Sequence, residues 1–340
     1  MNSLFIYNPA AGQINIEKEI SRCLDQLTER GWTVDLIVTD RPRHATELAR
    51  EAADDGRDMV VAVGGDGTIS EVANGIVGTN TMMGVIPAGT TNVWALQMNI
   101  PSLPPWHPRK VVDRMLADLE EIGWHRPAGI PSWLADAFQV LLNSEVRAVD
   151  VGLVGGRYFL MWCGVGFDAR VAESVVPEDK RRHGVWAYLT SGVSVAIYYT
   201  GARMRLALRE GAIEEEVLMV VAANARLYGG VFQMAPSAYM DDGLLDVCVF
   251  RGEGIGDIVR LLTALLAGRH RDDADVDYMQ VDYLSVASVP SQPVHADSEV
   301  CAATPVDISV LPRGLRVLVP ANGANDLFCH PRLGMLRDFE

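Results

Sequence analysis

Short apolar runs alternate with stretches of helical apolar spacing over the first hundred residues. Apolar residues three and four positions apart predict helices at residues 16–27, 44–53 and 69–76. The apolar runs between them predict strands at Ser3–Tyr7, Thr33–Val38, Asp58–Val63 and Met83–Ile86. Strands that alternate with helices are typical of a mostly parallel sheet covered on both faces. Ligands of such sheets bind beyond the carboxyl ends of the strands.

After about Val146 the pattern changes to short strands separated by glycines, which is typical of an antiparallel sandwich or barrel. Helices are predicted near Val111–Ile122, Val185–Tyr199 and Ile255–Leu266. We therefore predict an α/β domain over residues 1–140 and a β-rich domain over residues 141–319, with residues 320–340 available to complete the first. The predicted strands of the second domain are Arg147–Val154, Tyr158–Gly164, Met204–Leu208, Glu216–Ala223, Leu245–Phe250, Tyr283–Val289, Val306–Leu311 and Leu315–Val319.

Charge narrows the classes of partner. The 340 residues include 29 Lys and Arg against 44 Asp and Glu, a net charge of −15. This balance argues against general nucleic-acid binding, which depends on neutralising phosphates. It also argues against electrostatic docking of the whole molecule on an anionic membrane, although a local basic patch is compatible with it.

Cysteine usage and the absence of long apolar stretches indicate the compartment. The five cysteines are an odd number and form no C-x-x-C pair, so neither a disulfide framework nor a zinc site is expected. The first residues lack the basic and apolar regions of a signal peptide, and no apolar stretch reaches about 18 residues. We expect a cytoplasmic protein.

The strongest chemical signal is the segment Gly64-Gly65-Asp66-Gly67-Thr68, between a predicted strand and a predicted helix. Glycines let backbone N–H groups approach a phosphate, and a helix N-terminus favours negative charge. The spacing is neither that of a Walker A loop nor that of a Rossmann fingerprint. Asp66 is then a group on the Mg²⁺ side or a general base, or else caps a tight turn. Glu71 suits the first helical turn, where the dipole favours a carboxylate.

Two other turns follow predicted strands of the same sheet. Asn8-Pro9-Ala10-Ala11-Gly12 follows the first, and Pro87-Ala88-Gly89-Thr90-Thr91-Asn92 follows the fourth. Either turn alone is more typical of a plain loop than of a site. The isolated histidines, including His295 two residues before Asp297, indicate no site of their own.

Taken in order, these motifs resemble the catalytic domain of the diacylglycerol kinase family, which includes sphingosine and ceramide kinases and bacterial lipid kinases. The resemblance continues through the later segments Gly164–Asp168, Asp179–Gly184, Tyr228–Gly230, Asp241–Val247, Asp297–Glu299 and Thr304–Leu311. It implies an N-terminal α/β nucleotide-binding domain like those of phosphofructokinase and NAD kinase, followed by a β-sandwich-type domain. It also implies transfer of the γ-phosphoryl group of ATP, with Mg²⁺, to a lipid hydroxyl.

The resemblance carries roles onto individual residues. Either Asp66 or Asp297 matches the catalytic base, and both remain open. Asp242 matches a ligand of a structural Mg²⁺, although a D-G hairpin turn would explain it equally. Arg181 matches a residue that reaches the nucleotide phosphates, although a solvated charge run is the ordinary interpretation of its segment. The full set that the resemblance assigns to the nucleotide is Asn8, Thr39, Gly64, Gly65, Gly67, Thr68, Glu71, Thr90, Arg181 and Glu299.

One departure from the family keeps other functions open. The late motif is Asp297-Ser298-Glu299 where the family has Asp-Gly-Glu, so Ser298 would be crowded if that position needs positive φ. The alternatives are an NAD kinase-like phosphotransferase and an inactive nucleotide-binding regulator. The expected partner is a lipid substrate met transiently at a membrane surface, through a patch that includes Arg181, Arg182 and Arg203; a homodimer is also compatible with the sequence.

Overall fold

The structure is a computed structural model that describes residues 1–12, 15–90, 92–102, 130–174, 185–230, 232–321, 323 and 325–339. The chain forms two compact units. The first comprises Met1–Val149 and Arg313–Glu340, and the second comprises Asp150–Pro312. The helix expected at residues 111–122 and the basic segment 179–184 lie outside the described residues.

The first unit is built on a parallel sheet. Its strands lie in the order β17-β4-β3-β1-β2, and every neighbouring pair is parallel. Helices cover the sheet, including one at Ser132–Leu142 that the sequence pattern did not predict. The elements are β1 Asn2–Tyr7, α1 Glu17–Glu29, β2 Thr33–Val38, α2 His44–Asp54, β3 Met59–Gly64, α3 Asp66–Ile76, β4 Met82–Pro87, α4 Val93–Gln97, α5 Ser132–Leu142 and the start of β5 Ser144–Val154, joined late in the chain by the end of β17 Val306–Pro320 and by β18 Gly334–Met335.

Burial of the parallel sheet explains why its central strands are apolar at successive positions. β3 and β4 are buried at every position, because helices cover both faces of the sheet. The core of this unit includes Phe5, Leu27 and Phe138, and the rings of Phe5 and Phe138 stack with centroids 5.9 Å apart. Because neighbouring strands run parallel, the turns that follow β1, β2, β3 and β4 emerge at one edge.

The second unit is an antiparallel β structure. The strands follow the order β16-β15-β7-β9-β8-β14-β17, and β12 pairs with β9 and β13. Its core is mostly aliphatic and includes Phe159, Val220 and Leu284. The elements are the end of β5, then β6 Arg157–Phe159, β7 Trp162–Gly166, α6 Phe167–Ser174, α7 Val185–Tyr198, β8 Ala202–Leu208, β9 Gly211–Ala223, β10 Leu227–Tyr228, β11 Phe232–Gln233, β12 Leu245–Arg251, α8 Ile255–Leu266, β13 Val276–Val281, β14 Tyr283–Val289, β15 Pro293–Ala296, β16 Glu299–Ala303 and the start of β17.

The predicted fold class, an α/β domain followed by a β-sandwich-type domain, is confirmed. The chain returns to the first unit at Arg313. Two predicted strands, 306–311 and 315–319, form the single strand β17, which passes through Pro312 without a break. Among the described residues, no helix is long and apolar enough to cross a membrane.

Candidate functional site

In the first unit the candidate site is built around the turn between β3 and α3. Gly65 is the N-cap of α3, so the first helical residue is Asp66 and the free backbone N–H groups of the helix lie in the glycine segment. A Cβ atom on Gly64 would lie 2.7 Å from the Cβ of Thr68. This position therefore needs glycine, and the loop keeps its backbone bare where an anion would bind.

Asn8 connects the first strand to this turn. Its backbone N–H donates to the Val63 carbonyl at 3.0 Å, and its side-chain Nδ2 donates to the Thr68 hydroxyl at 3.0 Å. Its Oδ1 accepts the N–H of Ala10 at 3.0 Å. The bond from Asn8 to Thr68 joins residues that are 60 positions apart. The structure therefore brings Asn8 and Thr68 together, as expected for loops at one edge of a parallel sheet.

Asp66 joins the glycine turn to the turn after β4. Its Oδ2 accepts the N–H of Val93 and its Oδ1 accepts the N–H of Trp94, both at 3.0 Å. Gly89 packs so closely on the same turn that a Cβ there would lie 2.5 Å from the Cα of Gly65. Asp66 itself is half-buried. Its carboxylate thus caps the short helix α4.

Glu71 is placed toward α2. Its Oε1 accepts the N–H of Arg43 at 3.1 Å and its Oε2 accepts the N–H of Ala45 at 3.2 Å, at the start of that helix. Thr39 follows β2 and donates its N–H to the Tyr7 carbonyl at 2.8 Å. Thr90 is half-buried in the turn after β4. The structure therefore places all three at the same edge, while Arg181 lies outside the described residues.

In the second unit, Asp297 lies at the tip of the hairpin between β15 and β16. Its side chain is buried and accepts three backbone N–H groups: Leu160 at 2.8 Å, Met161 at 2.9 Å and Trp162 at 3.2 Å. Burial raises the pKa of Asp297, and these three hydrogen bonds oppose the rise. The carboxylate is thus an anchor for the hairpin.

Ser298, which replaces the glycine of the family motif, has the positive φ angle that was expected to crowd a serine. Asp297 has φ 46° and Ser298 has φ 68°, so two consecutive non-glycine residues are left-handed. Two such residues between paired strands are typical of a type I′ hairpin turn, in which glycine is favoured at the second position. Glu299, the next residue, forms an ion pair with Arg157 at 2.7 Å.

Asp242 lies in a turn rich in carboxylates. Its Oδ1 accepts the N–H of Leu244 at 3.0 Å, and the buried Asp150 accepts the N–H of Gly243 at 2.6 Å. Asp241 and Asp246 are also buried. Burial, assisted by the charge of Asp242, raises the pKa of Asp246, one of whose oxygens has no hydrogen-bond partner.

Sequence reasoning missed a polar cluster in the same unit. His295 is 1% exposed, and its Nε2 lies 2.5 Å from Oδ2 of Asp168. The hydroxyl of Tyr228 donates to the other oxygen of Asp168. A usable signal was present, because two matched segments, Gly164–Asp168 and Tyr228–Gly230, end or begin at the partners of His295.

Two family models match successive parts of the chain. Residues 2–122 match the family model described as the diacylglycerol kinase catalytic domain. Residues 162–319 match the one described as the YegS C-terminal NAD kinase beta sandwich-like domain.

Relatives match along nearly the whole chain. A diacylglycerol kinase of Bacillus subtilis is 25% identical over 324 residues, which are 95% of this chain and 97% of that protein. A diacylglycerol kinase of Staphylococcus aureus strain MRSA252 is 23% identical over 323 residues, 94% of this chain and 93% of that protein. The crystal structure of a diacylglycerol kinase from Bacillus anthracis strain Sterne shares the fold, with a TM-score of 0.64, 19% identity and coverage of 94% and 97%. The two family models thus match in order along the chain, and proteins that are diacylglycerol kinases are similar to it over nearly its whole length.

Proposed function

We propose that this protein is an ATP-dependent lipid kinase that transfers the γ-phosphoryl group to the hydroxyl of a diacylglycerol-like or sphingoid-like lipid. The observation that carries the proposal is the bare-backbone helix N-terminus at Gly65, at the sheet edge where Asn8, Thr39 and Thr90 also lie. Such a terminus is a binding site for phosphate groups.

The residues of the glycine turn and its neighbours fit a nucleoside triphosphate. Gly64 and Gly89 leave no room for a Cβ, because Thr68 packs against Gly64 and Gly65 packs against Gly89. Gly65 and Gly67 would hold the phosphates through backbone N–H groups, with Asn8 and Thr68 fixing the turn beneath them. Glu71 and Thr39 would border the nucleotide, and Arg181 keeps its proposed role at the phosphates.

We propose the turn at Asp242 as the structural cation site, with Asp242 supplying an oxygen ligand. A bound cation there would neutralise buried negative charge that includes Asp150 and Asp241. Glu299 keeps its proposed role as a nucleotide-binding residue, and its ion pair with Arg157 orients its carboxylate.

We propose Asp66 as the general base that takes the proton of the acceptor hydroxyl. Two of its lone pairs hold backbone N–H groups, which orients the carboxylate, and the side chain is only half-buried. Asp297 is the alternative base, but its buried carboxylate already accepts three N–H groups. Its contribution in this proposal is to anchor the late hairpin.

The acceptor is proposed to be met at a lipid surface by transient contact. Support comes from strongly exposed apolar side chains in the second unit, with Tyr198 at 87% and Val289 at 78% exposure. Arg203 lies opposite Val289 in the strand register and is exposed, although it forms an ion pair with Glu214.

Phosphoryl transfer from [γ-³²P]ATP into a total lipid extract, with Mg²⁺ and chromatographic separation, tests the proposal. We expect a labelled lipid in the wild type, a loss of roughly 100-fold or more in Asp66→Asn, and wild-type labelling in the matched control Asp25→Asn on the exposed side of α1. Thermal unfolding of each variant separates lost chemistry from lost folding.

Three outcomes of this assay contradict parts of the proposal. When NAD is added to the assay, label in NAD and none in lipid contradicts the acceptor class. No label in either contradicts the kinase. A folded Asp66→Asn that retains activity while a folded Asp297→Asn loses it moves the base to Asp297.

A further inference from the structure

His295 touches two parts of the second unit at once. It lies on β15, and its ring is almost fully buried. Its Nδ1 accepts the backbone N–H of Ser298 at 3.2 Å. A ring nitrogen that accepts a hydrogen bond carries no proton, so the proton of the neutral imidazole is on Nε2, which donates to Oδ2 of Asp168. One side chain thus joins the late hairpin turn to the start of α6.

The turn needs such support because of its sequence. Ser298 is left-handed at φ 68°, a conformation that is strained for a residue with a Cβ and not for glycine. The bond from the Ser298 N–H to His295 favours this conformation locally. The three N–H groups on Asp297 hold the preceding residue.

The space for the His295–Asp168 pair is made by a glycine. Gly164 on β7 is the cross-strand neighbour of His295. A Cβ on Gly164 would lie 2.9 Å from Cγ of Asp168 and would overlap the paired atoms Nε2 and Oδ2. The hydroxyl of Tyr228 occupies the other oxygen of Asp168. The pair is therefore enclosed on two sides and has a defined orientation.

We propose that His295 is a positioning residue of the late hairpin: its Nδ1 holds Ser298 in the left-handed conformation that the family's glycine would adopt unaided, and its Nε2 holds Asp168. This inference rests on the proposed lipid kinase function, since the hairpin carries Asp297 and Glu299. His295 touches no substrate in this role. The serine at position 298 and the histidine at position 295 are then a matched pair.

Two conservative variants separate the two hydrogen bonds. His295→Asn places an acceptor near the position of Nδ1 and removes the donor to Asp168. His295→Gln places a donor near the position of Nε2 and removes the acceptor for Ser298. We expect His295→Gln to lower kcat about tenfold, as for the loss of one hydrogen bond, with the KM for ATP unchanged.

The decisive comparison is made by adding Ser298→Gly to each of the two His295 variants. Glycine adopts the left-handed conformation without the bond, so Ser298→Gly should restore most of the kcat lost in His295→Gln. It should restore nothing in His295→Asn, whose defect lies at Asp168. Equal restoration of both variants, or of neither, would show that His295 acts only on general stability and overturns the proposal.

Two measurements do not depend on kinase activity. In the wild type at pH 7.5, imidazole ¹H–¹⁵N spectra should show His295, assigned by its loss in His295→Asn, as the neutral Nε2–H form. The amide of Ser298 should be protected from hydrogen exchange in the wild type and in His295→Asn, and should lose protection in His295→Gln. A proton on Nδ1, or equal protection in all three proteins, contradicts the proposal. If the wild type labels no lipid, the proposed function fails, and these two results still decide the role of His295.

Discussion

Asp66, Glu71 and Asp297 each accept hydrogen bonds from two or three backbone N–H groups. In each case the carboxylate joins parts of the chain that are distant in sequence, so removing it would disturb a turn as well as any chemistry. For this reason activity loss alone is weak evidence for a catalytic role at these positions. Folding must be measured beside activity in every carboxylate variant.

The raised pKa of Asp246 leads to a prediction about how the free energy of unfolding depends on pH. Burial is the main cause of its raised pKa, and the hydroxyl of Tyr278 donates to one of its oxygens. With a raised pKa the folded state binds more protons than the unfolded state, so this group's contribution to stability is present at low pH and falls as pH rises. We expect the unfolding free energy of the wild type, minus that of Asp246→Asn, to decrease from pH 4 to pH 7 in urea titrations. An increase over that range would contradict the raised pKa.

The packing of helices α2 and α3 depends on one glycine. A Cβ on Gly75 would lie 2.6 Å from the Cβ of Ala49 and 2.7 Å from the carbonyl oxygen of Thr46. The two helices therefore approach more closely than any larger residue permits. This contact holds α3, whose first turn is the glycine segment, against α2, whose first turn binds Glu71.

Gly75→Ala should therefore destabilise the protein although alanine is the better helix former. Overpacking costs about 1–3 kcal/mol and outweighs a propensity gain of about 1 kcal/mol, so the midpoint of denaturant unfolding should fall. Gly256 in α8 is the matched control, because nothing lies within 4 Å of a Cβ built there. Gly256→Ala should raise the midpoint. Equal changes in both variants would contradict a close approach of α2 and α3.

The protein as a whole carries a net charge of −15, which opposes attraction to an anionic membrane. Contact with a lipid surface must then come from local features. Among the described residues, five large apolar side chains are more than half exposed, and all of them belong to the second unit. They are Ile197, Tyr198, Val259, Leu266 and Val289. An exposed aromatic with aliphatic neighbours and an arginine is typical of interfacial binding.

Sedimentation with liposomes containing anionic lipid tests this contact. We expect the wild type to co-sediment at low salt and the double variant Tyr198→Ser/Val289→Ser to bind several-fold less, because both substitutions remove exposed apolar area. Ile37→Ser, at an exposed apolar position of the first unit, is the control and should bind like the wild type. Absence of wild-type binding at low salt would contradict the proposed lipid-surface contact.

Long, strongly patterned elements were predictable from local spacing. β2 and β14 have the predicted bounds, and so does α8, because an apolar period over six or more residues determines an element's type. The short strands β15 and β16 were missed, since four or five residues carry too little pattern. Two strands were predicted at Val306–Leu311 and Leu315–Val319, but the structure has the single strand β17, because tertiary pairing outweighs a local signal.

The amino-acid sequence by itself determined the order of elements, the glycine turn after β3 and the positions of the candidate carboxylates, because these depend on neighbours within a few residues. The tertiary structure alone decided what each side chain meets. Asp168 and His295 are 127 residues apart, and Asp297 is 137 residues from Leu160. Such pairs form only when separate strands are brought into register, so the anchoring of Asp297 and the support of Ser298 could be found only in the folded chain.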